Sequence, residues 1–294
     1  MDEKGYTLLH RGVGATTLGG KLFARVRGKA PLSFLDLTTT QDLAALPLGT
    51  GALTCLLDDK GKVLAEMRVL PLDDENVLVD ADEAARAGVL GWLARIAPLS
   101  ACEVLEEEWI CTAVRGPDAS TVFGDNLPKK EHGFASSEEV VVRVEWGVPG
   151  YDVIAPQEKD LALERIDFAT FEAARIAAGR PLYGVDVTDS THINETPLLE
   201  RAVSFTKGCY PGQESVARVR NLGRVRRRLA RMTLSSGPVP AAGTVVTVGD
   251  TQVGAITSAA LVPGGVAALG YVNTDTPEGT QIRCGEVAGE FQLL

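Results

Sequence analysis

Beyond Arg231 the chain breaks into short strand-like runs, Thr244 to Val248, Gln252 to Leu261, Gly265 to Val272 and Thr280 to Leu294, divided by Gly-Asp, Pro-Gly-Gly and Pro-Glu-Gly turns. That rhythm predicts a small β-barrel at the C-terminal end. Upstream the patterning is mixed. Residues 51 to 57 are apolar and Val63 to Leu70 is strand-like, and the intervening Asp58-Asp59-Lys60-Gly61-Lys62 has turn chemistry, which predicts a hairpin. Asn76 to Asp80 reads as a third strand. Asp80 then reads as the cap of a helix with Glu83 at the capping-box position and Leu90, Leu93 and Ile96 on one face, ended by Pro98. Strand signals return at Glu103 to Val114 and Val140 to Trp146, with Gly116 to Ser137 an excursion between them. Asp167 is a candidate N-cap for a helix over Phe168 to Ala178, stopped by Gly179 and Pro181.

At 294 residues and 45% hydrophobic content, the chain is expected to bury two or three packed units of α+β class. No stretch approaches the ~20 apolar residues that span a bilayer, and Met1-Asp2-Glu3-Lys4 does not begin a secretory signal, so no membrane association and a cytoplasmic location are expected. Five cysteines without a C-x-x-C pair and three histidines far apart in sequence indicate neither a disulfide framework nor a metal site. The net charge of −10 argues against a protein that coats nucleic acid. Seven arginines between Arg218 and Arg231 break that trend. Three readings are open for them: an intramolecular partner for carboxylates, a face for RNA or protein, or a receiver for an anionic small molecule.

The octapeptide Lys207-Gly208-Cys209-Tyr210-Pro211-Gly212-Gln213-Glu214 places a cysteine beside a lysine and just ahead of a helix start. A helix N-terminus and a nearby cation both favour a thiolate, and Pro211 suits a first helical turn. A glycine-punctuated turn holding a small buried thiol is the alternative. In the helix over 168 to 178, Phe168, Phe171 and Arg175 share the core-facing stripe, so Arg175 needs a carboxylate or an anionic ligand, or must reach water at the stripe's edge. Strand alternation puts Glu66 and Arg68 on one face, either as a solvent-side pair or facing a ligand.

The octapeptide, followed by Ser215 to Arg218 and Gly223-Arg224-Val225-Arg226-Arg227-Arg228-Leu229, resembles the signature of the YgfZ-type folate-binding proteins, relatives of the glycine cleavage T-protein (GcvT), an aminomethyltransferase. Weaker similarity covers Arg25 to Leu37, Leu57 to Val69 and Ala174 to Gly184, so that most of the chain is included and residues 98 to 140 match least. The resemblance implies a GcvT/YgfZ-like folate-binding fold: a discontinuous body (1–50 and 140–229), an inserted α+β subdomain (51–139) and a C-terminal β-barrel (230–294). It also implies a folate contact at Arg175, which precedes Ala-Gly-Arg-Pro-Leu-Tyr-Gly with two residues between. The relatives' paired aspartates correspond here to Ala65 and Glu66, a departure that bears on one-carbon transfer. In Gly147-Val148-Pro149-Gly150-Tyr151-Asp152, Asp152 falls where the relatives carry a pterin-binding glutamate. A carboxylate there can accept two N–H bonds from a pterin edge.

The expected function is therefore that of a tetrahydrofolate-binding accessory protein for iron–sulfur cluster assembly or repair, serving cluster-containing enzymes that include tRNA-modifying ones. Cys209 and Lys207 are its expected reactive pair. Arg175, Asp152, Glu66, Tyr151, Gln213 and Glu214 are its expected contacts to tetrahydrofolate or a derivative. The alternatives are a folate-dependent aminomethyltransferase and an RNA-binding protein using the Arg218 to Arg231 cluster.

Overall fold

A computed structural model describes residues 1–124, 127–221 and 223–294. Asp125 and Asn126, in the expected excursion, and Leu222, in the arginine-rich stretch, lie outside the described residues. Among the described residues, sixteen strands and six α-helices are named in chain order: α1 (Glu3–Arg11), β1 (Gly14–Leu18), β2 (Lys21–Gly28), α2 (Pro31–Thr38), β3 (Ala52–Leu57), β4 (Val63–Pro71), β5 (Asn76–Asp82), α3 (Ala94–Ile96), β6 (Cys102–Glu107), β7 (Ile110–Arg115), β8 (Phe134–Ser136), β9 (Val140–Val144), β10 (Gly150–Ala155), α4 (Phe168–Ala177), α5 (Leu198–Ala202), α6 (Gln213–Asn221), β11 (Arg227–Leu234), β12 (Val245–Val248), β13 (Thr251–Val262), β14 (Gly265–Asn273), β15 (Ile282–Cys284) and β16 (Val287–Leu293).

Two five-stranded sheets form the body, in the orders β3-β4-β5-β2-β6 and β1-β7-β10-β9-β8. They do not follow the boundaries expected at residues 50 and 140. β2 pairs with β5 and β6, and β7 pairs with β10, so that each sheet is built from strands distant in sequence. The single run expected at Glu103 to Val114 is two strands in different sheets, broken at Glu108 and Trp109 where the chain crosses over.

Period-two alternation decides what fills each layer. On β4, Val63, Ala65, Met67 and Val69 are essentially inaccessible and pack in the large core that also takes Phe34 and Leu35 of α2, Leu198 of α5 and Val216 of α6. The alternate residues face the other sheet. Leu70 of β4, Leu78 of β5 and Phe23 of β2 meet Cys111 of β7, Val142 of β9 and Ile154 of β10 between the sheets. Burying a side chain of this size contributes about 1.5–3 kcal/mol, so this layer holds the sheets in one register.

Asp80 is not a helix cap. It lies within β5, and the chain turns at Asp82 into a run of tight and wide helical turns over Glu83–Ser100 of which only Ala94–Ile96 is α-helical. Asp167 does cap α4, its carboxylate accepting from the Thr170 N–H at 2.9 Å. The helix ends at Gly179, whose φ of +75° only glycine adopts freely. After α6, strands β11-β14-β13-β12-β15-β16 close into a barrel, as the turn rhythm predicts. Among the described residues, no helix is long and apolar enough to cross a membrane.

Candidate functional site

The inter-sheet layer turns from apolar to charged towards one end, where the alternation that buries Phe23, Leu78, Leu70 and Ile154 aims Lys21, Asp80, Arg68, Glu66 and Asp152 at one another. Arg68 and Asp80 sit opposite in register on β4 and β5 and form an ion pair. Asp80 also takes Lys21 at 2.8 Å, Arg68 reaches Asp152 at 2.8 Å, and Asp152 takes Arg115 at 2.5 Å. The result is a continuous chain of alternating charge, Lys21–Asp80–Arg68–Asp152–Arg115, each Asp and Arg in it at most 7% exposed. Isolated charges at such depth would cost several kcal/mol each, and the alternation is what makes the layer tolerable. For Asp152, burial alone would raise the carboxyl, but Arg115 and Arg68 outweigh it and hold the group well below the usual carboxylate range.

Glu66 stands at the edge of this chain, its buried Oε2 without a partner among the described residues. Burial, and secondarily Asp82, push its carboxyl up to about 7, against the opposing pull of Arg180, Lys21 and Arg201. His132, on the same wall, is held down to about 4, first by burial and then by Arg68, so it stays neutral at physiological pH. These groups line a small cavity of ≈ 50 Å³. It shares Leu18, Lys21, Glu66, Asp82 and Arg180 with a larger one of ≈ 220 Å³, walled also by Phe168, Phe171, Arg175 and Tyr183.

Of the expected contacts, Glu66, Asp152 and Arg175 come to these cavities. The Glu66–Arg68 face is therefore an interior one, not a solvent-side pair. The stripe of α4 carrying Phe168, Phe171 and Arg175 faces a cavity instead of core, and Phe168 is 50% exposed. Arg175 has its protein partner: Nε donates to Glu172 at 2.9 Å and Nη1 donates to Asp186 Oδ2 at 2.9 Å and to the Arg180 carbonyl at 2.6 Å. Asp186 in turn accepts from the Leu182 N–H and from both Thr257 and Ser258 hydroxyls, and its carbonyl accepts from Tyr271, so it joins α4 to the barrel. A bulge in β13 (Thr251–Val262) is what lets the consecutive Thr257 and Ser258 point the same way.

Tyr151 does not join the site. Next to Asp152 on β10, it points to the opposite face and packs edge-on against Phe123 with ring centroids 5.4 Å apart. Lys207 is not a free cation beside the thiol. Its side chain is 1% exposed, and its ammonium donates to the carbonyls of Asp36, Thr39 and Gln41, at and beyond the end of α2, besides lying 3.1 Å from the Asp36 carboxylate. Unpaired carbonyls at a helix C-terminus attract a cation, and these are supplied by a segment about 170 residues away in sequence. Cys209 is exposed, which removes the buried-thiol alternative, whereas the other four cysteines are buried. It lines neither cavity between the sheets, and nor do Gln213 and Glu214, which open α6. Pro211 precedes the helix in a turn instead of entering its first turn, and Gly212 takes φ +82° there, with Asp58 O 2.4 Å from where a Cβ would stand.

The arginine-rich stretch is divided. Arg224 pairs with Asp275, Arg227 with Glu195 at 3.0 Å, and Arg231 donates to Gln292 at 2.9 Å, whereas Arg220 lies 3.5 Å over the Phe205 ring. Two of the seven thus meet a carboxylate of the protein. Lys21 and Arg115 stand out nowhere in the sequence, and Arg68 and Asp80 read there only as a face-mate of Glu66 and a helix cap. Their only signal is that each is a charged residue inside an apolar strand pattern.

Comparison with known proteins agrees with this architecture. Residues 15–142 match the GCVT N-terminal domain and residues 226–293 the CAF17 C-terminal β-barrel domain. The chain is 27% identical over 281 residues to an aminomethyltransferase of Mycolicibacterium paratuberculosis, covering 86% of this chain and 75% of the relative. To that of Aquifex aeolicus it is 26% identical over 249 residues, covering 79% and 68%. The crystal structure of glycine cleavage system aminomethyltransferase T from Bartonella henselae superposes with a TM-score of 0.87 at 21% identity, over 99% of this chain and 88% of that one. The chain thus has a GcvT-like fold, assembled from a GCVT N-terminal domain and a CAF17-type C-terminal β-barrel.

Proposed function

We propose that the protein binds a reduced folate between its two sheets and acts as an accessory factor for iron–sulfur proteins, with Cys209 as its reactive surface group. The observation that carries the folate part is Glu66: a carboxylate oxygen buried without a partner faces a cavity that also has an aromatic wall, Phe168 and Phe171. An unpaired buried acceptor is costly unless a ligand donor meets it, and folate combines N–H donors with flat rings and an anionic tail. Glu66, Phe168 and Phe171 would hold it, with Asp152 and Arg175 as fixed walls. When bound, tetrahydrofolate supplies one-carbon carrier chemistry. The chain's own contribution is to shield the site from water and to keep Glu66 able to take up or release a proton near neutrality.

The accessory reading is supported by the CAF17-type barrel and by an exposed Cys209 apart from the cavity, where a partner protein can reach it. The relatives' names favour a second reading, aminomethyl transfer. Ala65 does not decide between them, because it faces the opposite core and an aspartate there would not reach the cavity. What differs chemically is the longer Glu66.

Three measurements test this. Calorimetric titration with tetrahydrofolate is expected to show one site. Cys209→Ala is expected to leave that binding intact while lowering the activity of cluster-dependent enzymes in a host lacking its own copy. Incubation with an aminomethylated lipoyl carrier protein is expected to give no turnover. Absence of binding would refute the folate reading, normal cluster enzymes with Cys209→Ala would refute the accessory role, and turnover would establish the transferase.

A further inference from the structure

Arg180 lines both cavities between the sheets and also the narrow cleft beside Trp146 and Val148. Every other cation on these walls that has been described is engaged: Lys21 with Asp80 and Asp82, Arg68 with Asp80 and Asp152, Arg115 with Asp152, Arg175 with Glu172 and Asp186. Among the described residues, the Arg180 guanidinium makes no hydrogen bond or ion pair; it lies 5.9 Å from the Trp146 ring and near enough to Glu66 to pull on its carboxyl. Its backbone, by contrast, is fixed. The Arg180 N–H donates to the Arg175 carbonyl at 3.2 Å and its own carbonyl takes the Arg175 guanidinium at 2.6 Å. Gly179 before it is pinned by φ +75°, with Leu294 2.9 Å from where a Cβ would stand, and Pro181 follows. A rigid main chain therefore presents an unpaired, planar, permanently charged fork into a cavity.

The other half of the wall is aromatic. Phe168 and Phe171 stack with centroids 6.4 Å apart and planes 25° apart, and Phe168 remains half exposed at the edge of the ≈ 220 Å³ cavity. An exposed ring beside an unpaired guanidinium fits a ligand with a flat ring joined to a carboxylate. We propose that Arg180 is the specificity residue of this cavity, receiving a carboxylate of an aryl-linked amino acid whose ring lies on Phe168 and Phe171. This rests on the folate reading, in which the benzoylglutamate end is that group. It assigns the anion to Arg180 in place of Arg175, whose Nε and Nη1 are already engaged by Glu172, Asp186 and the Arg180 carbonyl.

The test uses the full chain and three probes: tetrahydrofolate, its diamide with both glutamate carboxylates neutral, and p-aminobenzoylglutamate without the pterin. Wild type is expected to bind tetrahydrofolate about 10- to 100-fold more tightly than the diamide, the range expected of a charge-assisted bidentate contact. Arg180→Gln is expected to erase that difference by weakening tetrahydrofolate alone, with Arg180→Lys intermediate and unchanged melting curves for both. Equal binding of acid and diamide by wild type, or an Arg180→Gln protein that keeps the preference, overturns the assignment. Binding of p-aminobenzoylglutamate in an Arg180-dependent manner without any binding of tetrahydrofolate overturns the folate reading and leaves the assignment standing. Failure of all three probes to bind wild type overturns both.

Discussion

Replacing Glu66 by glutamine gives a pH-dependent change in stability whose sign and size follow from its surroundings. In the ligand-free protein, burial first and Asp82 second move this carboxyl from 4.5 to about 7. The folded form thus holds its proton more tightly than the unfolded chain, so folding takes up a proton between those two values and stability falls as pH rises through that window. At 1.36 kcal/mol per decade of proton affinity, this difference between the folded and unfolded carboxyl lowers stability, relative to strongly acidic solution, by about 3 kcal/mol at pH 8 and about 1 kcal/mol at pH 5. Glu66→Gln removes this titration while keeping the shape. Its stability relative to wild type should therefore rise by about 2 kcal/mol between pH 5 and pH 8, measured by urea unfolding of both proteins at each pH. Other titrating groups, including His132 and Asp152, are common to both proteins and cancel in the difference. A stability difference that does not change with pH would refute the argument and show Glu66 to be solvated.

Asp152→Ala leaves Arg68 and Arg115 buried without their shared carboxylate and should cost about 3–5 kcal/mol, with Asp152→Asn milder; urea unfolding reads both. Lys207→Met removes the ammonium from the carbonyl oxygens around the end of α2 and should lower stability by about 2–4 kcal/mol, whereas Cys209→Ser, at an exposed position, should stay within ~0.5 kcal/mol of wild type. Brief treatment of the native protein with iodoacetamide should label Cys209 alone, since the other four thiols are buried; peptide mass mapping that finds a second labelled cysteine would contradict the packing.

The parts of this fold that were legible in the sequence are those fixed by local chemistry. The β3–β4 hairpin follows from five turn residues between apolar runs, α4 from the Asp167 cap and the Gly179 stop, and the barrel from its spaced Gly and Pro turns. Reading failed where the answer lay across a sheet. Alternation sorts Glu66 and Arg68 onto one face but cannot say whether that face meets water or a second sheet, which depends on β10 more than 80 residues later. Asp80 has the composition of a cap and the environment of a buried counter-ion, and only its pairing with Arg68 tells the two apart. The same holds for Tyr151 and Asp152, neighbours whose one-residue offset sends one ring outward and one carboxylate inward. Lys207 looks like an activator of the thiol two residues on because the acceptors that claim it lie at and just beyond the end of α2.

Asp186 has a consequence for the order of assembly. Its carboxylate holds Arg175 on one side and two hydroxyls of β13 on the other, so the cavity's α4 wall takes its final form only after residues 257 and 258 have been synthesised and the barrel has docked. On the ribosome, a nascent chain that has emerged only as far as α6 would lack those two hydroxyls, so that its Asp186 would hold Arg175 from one side only.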